Sequence, residues 1–400
     1  MTDSAGWFRD RLHSRRALLR AGSLGVAGAA LTGATLAGCS RGRDEYSALA
    51  DSIWRHTPGL PPDLNGLLAE LVRYATLAPS TYNSQCWRFR VARDAITILP
   101  DPARRSPAVD PDDHHLHVSL GCAAENIVQI AAAVALYTRV ETGATPGDGV
   151  IVRLALGAPG RSPLSEAIPA RQTTRGLYDG KAVPAADLAR LEQVATGPGV
   201  TPVLVTDRNQ RTRLLDLAAS ANREWYADAA RVAELKRWTR FDDATALATR
   251  DGLAPGPAGR TALPPALGGA LFELLATADR VNDRLVNEVR SAAGFAGFIA
   301  AIDDRAHWVE TGRAVQRFAL LATALGIRHD WVSAPAESRT LRPRLGMELG
   351  EPAGRPSVLL RFGYAPARPR SLRRELRELV PGLAPGGSEL AERLAPPSTR

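Results

Sequence analysis

Ala78-Pro79-Ser80-Thr81-Tyr82-Asn83-Ser84-Gln85-Cys86-Trp87 stands between a helical pattern and an extended one, and how it is read decides the fold. Upstream, Leu64, Leu67, Leu68, Leu71 and Val72 repeat at the spacing of one helix face, predicting a helix from Leu64 to about Ala78. Downstream, Trp87–Val91 and Ile96–Leu99 read as short strands. The Pro, Ser, Thr and Asn between them form a tight polar turn that exposes hydroxyls, an amide and backbone groups at a helix C-terminus. Two readings stay open: a surface for the polar edge of a planar heterocycle, which offers donors and acceptors, or an ordinary capped turn.

Outward from this turn, a long helix is predicted from about Ser119 to Tyr137 and a strand at Val150–Leu156, with the loop 157–168 closing a first half. The second half reads as helices near 184–196 and 208–230, a strand at Pro202–Val205, and an irregular Gly/Pro-rich stretch Asp251–Gly269. Helices near 270–290 and 306–325 follow, and a strand Ser357–Tyr364 comes last. Helices and strands alternate with no Gly-x-Gly-x-x-Gly turn after a strand, so the class is α+β rather than a dinucleotide fold. The halves run 63–168 and 169–380, preceded by an N-terminal address (1–39) and a Pro-ended polar tether (40–62), and followed by a polar tail (381–400). A weak internal repeat aligns the stretch from Gly121 with the stretch from Gly312 at an offset of 191 residues.

Arg171-Gln172-Thr173-Thr174-Arg175 is the second chemical signal. In an extended segment Arg171, Thr173 and Arg175 face one side, and two guanidinium forks flanking a hydroxyl make a phosphate clamp. A solvated charged loop is the alternative reading.

Taken together, these segments resemble the nitroreductase-type flavoproteins. The turn at 78–87 is similar to that family's Ala-Pro-Ser-x-x-Asn-x-Gln-Pro-Trp segment, and 171–175 to its Arg-x-Ser/Thr-x-Arg segment. Gly312–Gly326 resembles its late helix, and Arg361-Phe-Gly-Tyr364 followed by Arg373-Arg374 its closing strand and basic tail. The order, and the duplication within one chain, resemble the single-chain Acg-type branch, over roughly residues 63–380. The resemblance implies two fused halves that mimic the family's homodimer, hence a monomer, with one composite FMN site. Arg171, Thr173, Arg175 and Arg373 or Arg374 would hold the phosphate. Pro79, Ser80, Thr81, Asn83 and Gln85 would line the ring or ribityl chain, and the Pro335-Ala336-Glu337 backbone would approach the ring nitrogen that takes hydride. Cys86 stands where the family has Pro, and reads either as a redox-active thiol or as a small buried residue.

The remaining motifs carry less. His114, His115 and His117 follow Asp110, Asp112 and Asp113, but no further ligand set has recognisable spacing, so no metal is assigned and a solvated loop is expected there. Trp225, Trp238, Trp308 and Trp331 read as core or lid residues, with one of them free to cover the ring.

Before all this, Ser14-Arg15-Arg16-Ala17-Leu18-Leu19 precedes an uncharged run from Ala21 to Gly38, which ends in Leu36-Ala37-Gly38-Cys39. That is the pattern of a twin-arginine export signal with a lipobox, implying passage through the twin-arginine machinery and lipidation of Cys39 on the outer side of the cytoplasmic membrane. The net charge of +8 is carried by scattered residues, of which only Lys181 and Lys236 are lysine, interleaved with acids; no nucleic-acid partner is expected.

Three functions fit. One is an exported FMN oxidoreductase acting by two-electron hydride transfer on a small-molecule redox substrate, with no side chain required as acid or base. The others are a flavin-sequestering protein closed by the 230–270 stretch, and a cofactor-free binding lipoprotein.

Overall fold

The computed structural model describes residues 42–57, 61, 63–158 and 163–381. The export signal, Cys39 and the tail beyond residue 381 lie outside the described residues. Two four-stranded antiparallel sheets organise the chain. The first holds β1 (Trp87–Ala92), β2 (Ala95–Pro100), β3 (Leu136–Thr142) and β4 (Val150–Leu156) in the order β1-β2-β4-β3. The second holds β5 (Val200–Val205), β6 (Gly294–Ala300), β7 (Arg328–Trp331) and β8 (Arg355–Gly363) in the order β5-β6-β8-β7. The orders correspond strand for strand, and every pairing is antiparallel. The α+β class is thereby established, with one architecture occurring twice.

The repeat continues in the helices. Helix α3 (His114–Ala133) precedes β3 and α11 (Arg305–Ala324) precedes β7; both are 20 residues long and they start 191 residues apart. They cross at the centre of the molecule, where a Cβ on Gly121 would lie 2.0 Å from the Val309 carbonyl oxygen. A Cβ on Gly312 would lie 2.0 Å from the Val118 carbonyl oxygen. The two contacts are reciprocal, as expected of a pseudo-twofold axis. Absence of a side chain at both positions lets the backbones meet. Around the crossing, Gln316 Nε2 donates to Asn126 Oδ1 at 2.6 Å, and buried Glu125 accepts from Arg313 and Arg317 at 3.0 and 3.3 Å. Buried polar groups satisfied this way fix one register where apolar contacts would allow several.

The halves differ at one hairpin. In the first, Arg93 and Asp94 join β1 to β2; in the second, residues 206–293 intervene between β5 and β6. This excursion carries α6 (Arg208–Ala227), α7 (Ala229–Trp238), α8 (Asp243–Thr249), α9 (Pro265–Leu275) and α10 (Ala278–Arg290).

Several expectations need correcting. The tether expected at 40–62 is helical over 42–53 (α1): Tyr46, Ala50 and Trp54 fall on one face and are buried, with Tyr46 Oη donating to the Arg370 carbonyl and Trp54 Nε1 to that of Ser371. The long helix begins at His114 rather than Ser119, and Tyr137 belongs to β3, because the chain breaks at Ala135 with φ of 60°. The helix expected over 270–290 is interrupted at Ala276–Thr277. Strands β3, β6 and β7 were not foreseen: the start of β3 was taken into the long helix, Gly-Phe-Ala-Gly-Phe-Ile-Ala is buried at every position and so lacks the alternation that marks a strand, and β7 is only four residues long.

Candidate functional site

Helix α2 (Leu64–Thr76) ends at the 78–87 turn, where Tyr82, Asn83 and Gln85 all have positive φ (55°, 55° and 53°). Left-handed conformations cost a non-glycine residue of order 1 kcal/mol or more each, so three together persist only where the surroundings fix them. Those surroundings are visible. Ser80 Oγ accepts from the Gln85 N–H at 2.9 Å, and Asn83 Nδ2 donates to the Gly252 and Leu372 carbonyls. Gln85 is fully buried: its amide donates to the Arg250 carbonyl, and its carbonyl accepts from the Arg374 N–H. Arg373 donates to the Thr76, Leu77 and Ala78 carbonyls and to Asn83 Oδ1, thereby capping α2 and gripping the turn.

The Arg171–Arg175 segment approaches the same turn from the other half. Thr173 bridges His329 of β7, and the Thr174 N–H donates to the His329 carbonyl at 2.9 Å. Arg171 is 2% exposed; its Nη2 donates to the Leu77 carbonyl at 2.9 Å, while Nε and Nη1 are buried without a partner. Burial pushes its pKa down to about 10, and burial with Arg171 beside it pushes Arg373 down to about 9. The guanidinium carbons of Arg171, Arg370 and Arg373 lie 5.8, 5.4 and 4.7 Å from the Trp54 ring centroid, and Arg370 Nη1 is also buried without a partner. Arg361 shows the contrast: 1% exposed, it pairs with Asp330 at 2.8 Å and Glu288 at 3.2 Å. Arg171 has no such carboxylate partner, so two of its donors are left for which an anion would be the natural acceptor.

Turn and cation cluster line a single cavity of about 460 Å³. Pro79, Ser80, Thr81, Asn83, Arg171, Thr173, Arg175, Glu337 and Arg373 all border it. Gln85, Ala336 and Arg374 do not: Gln85 is spent inside the turn, Ala336 lines a neighbouring cavity, and Arg374 pairs with Glu378 at 3.2 Å and Asp101 at 3.7 Å. Of the four tryptophans, Trp225 and Trp331 border the cavity, whereas Trp238 and Trp308 lie elsewhere. Bordering residues that the sequence did not assign to the site include Trp54, Ser119 and Tyr226, together with Tyr82 and His115, which were noted without a role there. The 46/50/54 spacing was the available signal for Trp54. The 230–270 stretch contributes Leu235, Leu253 and Pro257 to the wall and is stitched to the turn by the Asn83–Gly252 and Gln85–Arg250 bonds.

The histidines are not on a solvated loop. His114, His115 and His117 form the buried first turn of α3, whose His115 and Leu116 N–H groups donate to Asp110 at 2.9 and 2.8 Å. Among the described residues, no group of three or more His, Cys, Asp or Glu is gathered to hold a metal. His115 Nε2 lies 3.6 Å from Glu337 Oε1, and Trp225 Nε1 donates to Glu337 Oε2 at 2.9 Å. Burial holds Glu337 above its ordinary pKa and His115 below.

Two predictions arise here. Burial, aided by Arg171 and Arg328, depresses His329 to about 3. The unfolded chain therefore binds this proton first, so the stability His329 contributes is present above about pH 6.5 and lost as pH falls towards 3. Substituting His329→Gln should remove about 2 kcal/mol of the stability lost between about pH 6.5 and 5, read from denaturant midpoints at the two pH values. Cys86 and Cys122 are free and buried, with thiols pushed up to about 12 by burial, which favours the small-buried-residue reading of Cys86. In a Cys39→Ala chain, a thiol reagent should modify neither cysteine until denaturant is added; rapid native labelling of Cys86 would restore the redox reading.

The chain matches no known family model. Two Mycobacterium tuberculosis proteins, from strains CDC 1551 / Oshkosh and ATCC 25618 / H37Rv, each align over 335 residues at 28% identity, covering 78% of this chain and 91% of theirs. Both carry the provisional name NAD(P)H nitroreductase. Among solved structures, the FMN-dependent nitroreductase NfnB from Mycobacterium smegmatis in complex with NADPH matches at a TM-score of 0.35 and 18% identity, over 54% of this chain and 96% of that one. A nitroreductase with bound FMN from Bacteroides fragilis matches at 0.31 and 15%, over 54% and 93%. By sequence, the similarity to those two relatives extends over most of this chain and most of theirs.

Proposed function

We propose that the chain is an FMN-dependent oxidoreductase of nitroreductase type, exported and anchored through Cys39. The observation that carries the cofactor assignment is the buried Arg171 guanidinium, two of whose nitrogens lack a partner, at a cavity bordered by both halves. Arg171, Thr173 and Arg175 would hold the phosphate of the cofactor, and Arg373 would act on it as a nearby cation while fixing the turn. Pro79, Ser80 and Thr81 would lie along the ring and ribityl chain, with Asn83 and Gln85 holding the turn in its strained shape. The short helix α12 (Ala334–Glu337) would present its backbone and Glu337 to the ring. The cavity volume is within the ordinary range for cofactor pockets.

When bound, the flavin supplies two-electron hydride exchange between a donor and an acceptor. The residues of the chain bind, orient and shield. Trp225, held by Glu337, and the excursion residues Leu235 and Leu253 give the cavity an apolar wall that would shield a bound cofactor from water. The relatives' name suggests NAD(P)H as donor; the export signal points instead to a donor available outside the cytoplasm, such as a quinol.

The test is the visible spectrum of the purified full chain beside an Arg171→Ala/Arg175→Ala variant. Flavin bands stoichiometric with the parent chain and absent from the variant are expected; a colourless parent that FMN cannot reconstitute leaves the cofactor-free binding lipoprotein. The stitching of the excursion to the turn favours a second reading, flavin sequestration. Bleaching by a quinol or NAD(P)H in the absence of air supports the enzyme, and resistance to both, with bleaching by dithionite alone, supports sequestration.

A further inference from the structure

Helix α9 is the apolar edge of the excursion. Leu267, Leu271 and Leu274 recur at i, i+4 and i+7, and Leu267 and Leu274 are 56% and 68% exposed. The opposite face is seated: a Cβ on Gly268 would lie 2.6 Å from the Phe241 ring, and Phe241 and Phe272 stack edge to face at 6.1 Å. Glu273 is the helix's one charged side chain, and it pairs with Lys236. The outward face is therefore an uncharged leucine stripe on a well-seated helix.

The start of the described chain indicates what covers it. Gly42, the first described residue of α1, lies against the excursion, its Cβ position 3.9 Å from the Asp243 side chain. Asp243 opens α8 and lies two residues from Phe241, the residue on which α9 rests. Cys39 is three residues before Gly42, and three residues span at most about 11 Å. A lipid on Cys39 would thus enter the bilayer beside the excursion that carries α9.

We infer that the leucine stripe of α9 docks on the lipid surface to which Cys39 is anchored, so that the excursion lies against the membrane. This rests on the lipid-anchor reading given above. The lipid on Cys39 would be one membrane contact, and the leucine stripe would add a second, apolar one borne by the neighbouring excursion. The excursion as a whole is nearly charge-balanced, so docking would be driven by apolar insertion and be insensitive to salt. Other parts of the same excursion give Leu235, Leu253, Val281 and Leu285 to the cavity wall.

The test removes the lipid and keeps the stripe. A full chain carrying Cys39→Ala is sedimented with phosphatidylcholine vesicles, with and without phosphatidylglycerol, beside the same chain carrying also Leu267→Gln and Leu274→Gln. The expected result is vesicle binding by the first chain and a partition coefficient lower by about tenfold or more in the second, with unchanged circular dichroism and melting. Equal partitioning of the two chains, or no binding by either, overturns the inference. So does a shift from dimer to monomer on the leucine substitutions in vesicle-free buffer, which assigns the stripe to a second copy of the chain. Palmitate labelling of the unmodified chain in cells reads the anchor separately. Absence of label with leucine-dependent vesicle binding sinks the anchor and keeps the docking face; label without leucine dependence does the reverse.

Discussion

Replacing Arg171 with Met should raise the stability of the cofactor-free protein while weakening FMN binding by about a hundredfold or more. The two effects have one origin. Among the atoms of the chain itself the guanidinium is 2% exposed, two of its nitrogens have no partner, and Arg370 and Arg373 bear on it as like charges. Folding must strip water from that charge with no anion to replace it, at a cost of order a few kcal/mol, which an apolar chain of similar length avoids. A bound phosphate would supply the missing acceptors as charge-assisted hydrogen bonds, and the methionine variant forfeits them. Thermal melting of parent and variant, each with and without FMN, reads both quantities. A variant that melts lower when empty and binds FMN as the parent does would reduce Arg171 to a strut on the Leu77 carbonyl. Arg361, buried just as deeply but held by Asp330 and Glu288, is the control: its loss should destabilise, because it leaves the carboxylate of Asp330 without its cation and Glu288 with Arg284 alone.

Gly312→Ala should destabilise the fold by at least about 4 kcal/mol, among the largest effects of any single methyl group added to this chain. The new carbon would lie 2.0 Å from the Val118 carbonyl oxygen and 3.0 Å from the Cys122 backbone nitrogen. These are backbone atoms of a buried helix and cannot rotate away, so α3 and α11 must separate, opening the surrounding core. Gly121→Ala should behave alike, its new carbon meeting the Val309 carbonyl oxygen. Because one separation relieves both clashes, the double variant should cost clearly less than the sum of the two, a coupling that a double-mutant cycle in denaturant measures. Gly147→Ala, which adds a carbon to open space, should leave the midpoint unchanged. Additive costs at 121 and 312 would mean that the two contacts yield independently and that the crossing is not one rigid unit.

The chemical segments were legible because each is local. The polar turn, the Arg-x-Thr-x-Arg clamp and the amphipathic α2 announce themselves within ten or so residues, through turn chemistry and side-chain periodicity. The internal repeat was legible too, and the crossing explains why it survives at Gly121 and Gly312: only glycine fits where two backbones touch. What stayed hidden was non-local. Strand β6 is covered on both faces by the fold, so burial erased its alternation. Helix α1 reads as a polar tether until its buried Tyr46 and Trp54 find their partners more than 300 residues away, at the Arg370 and Ser371 carbonyls.

The same division runs through the site. By itself the sequence determined which residue types could meet an anion and a planar polar ring, and that one chain carries the Arg171–Arg175 segment and the polar turn in different halves. Only the tertiary structure decided how each side chain is spent. It assigns Asn83 and Gln85 to holding the turn and Arg373 to capping α2, while Arg374 pairs with carboxylates and Arg171 is left with unpaired nitrogens. The physical reason is that residue type fixes the hydrogen bonds a group can make, whereas burial and the neighbours brought by distant segments fix which of them remain to be made.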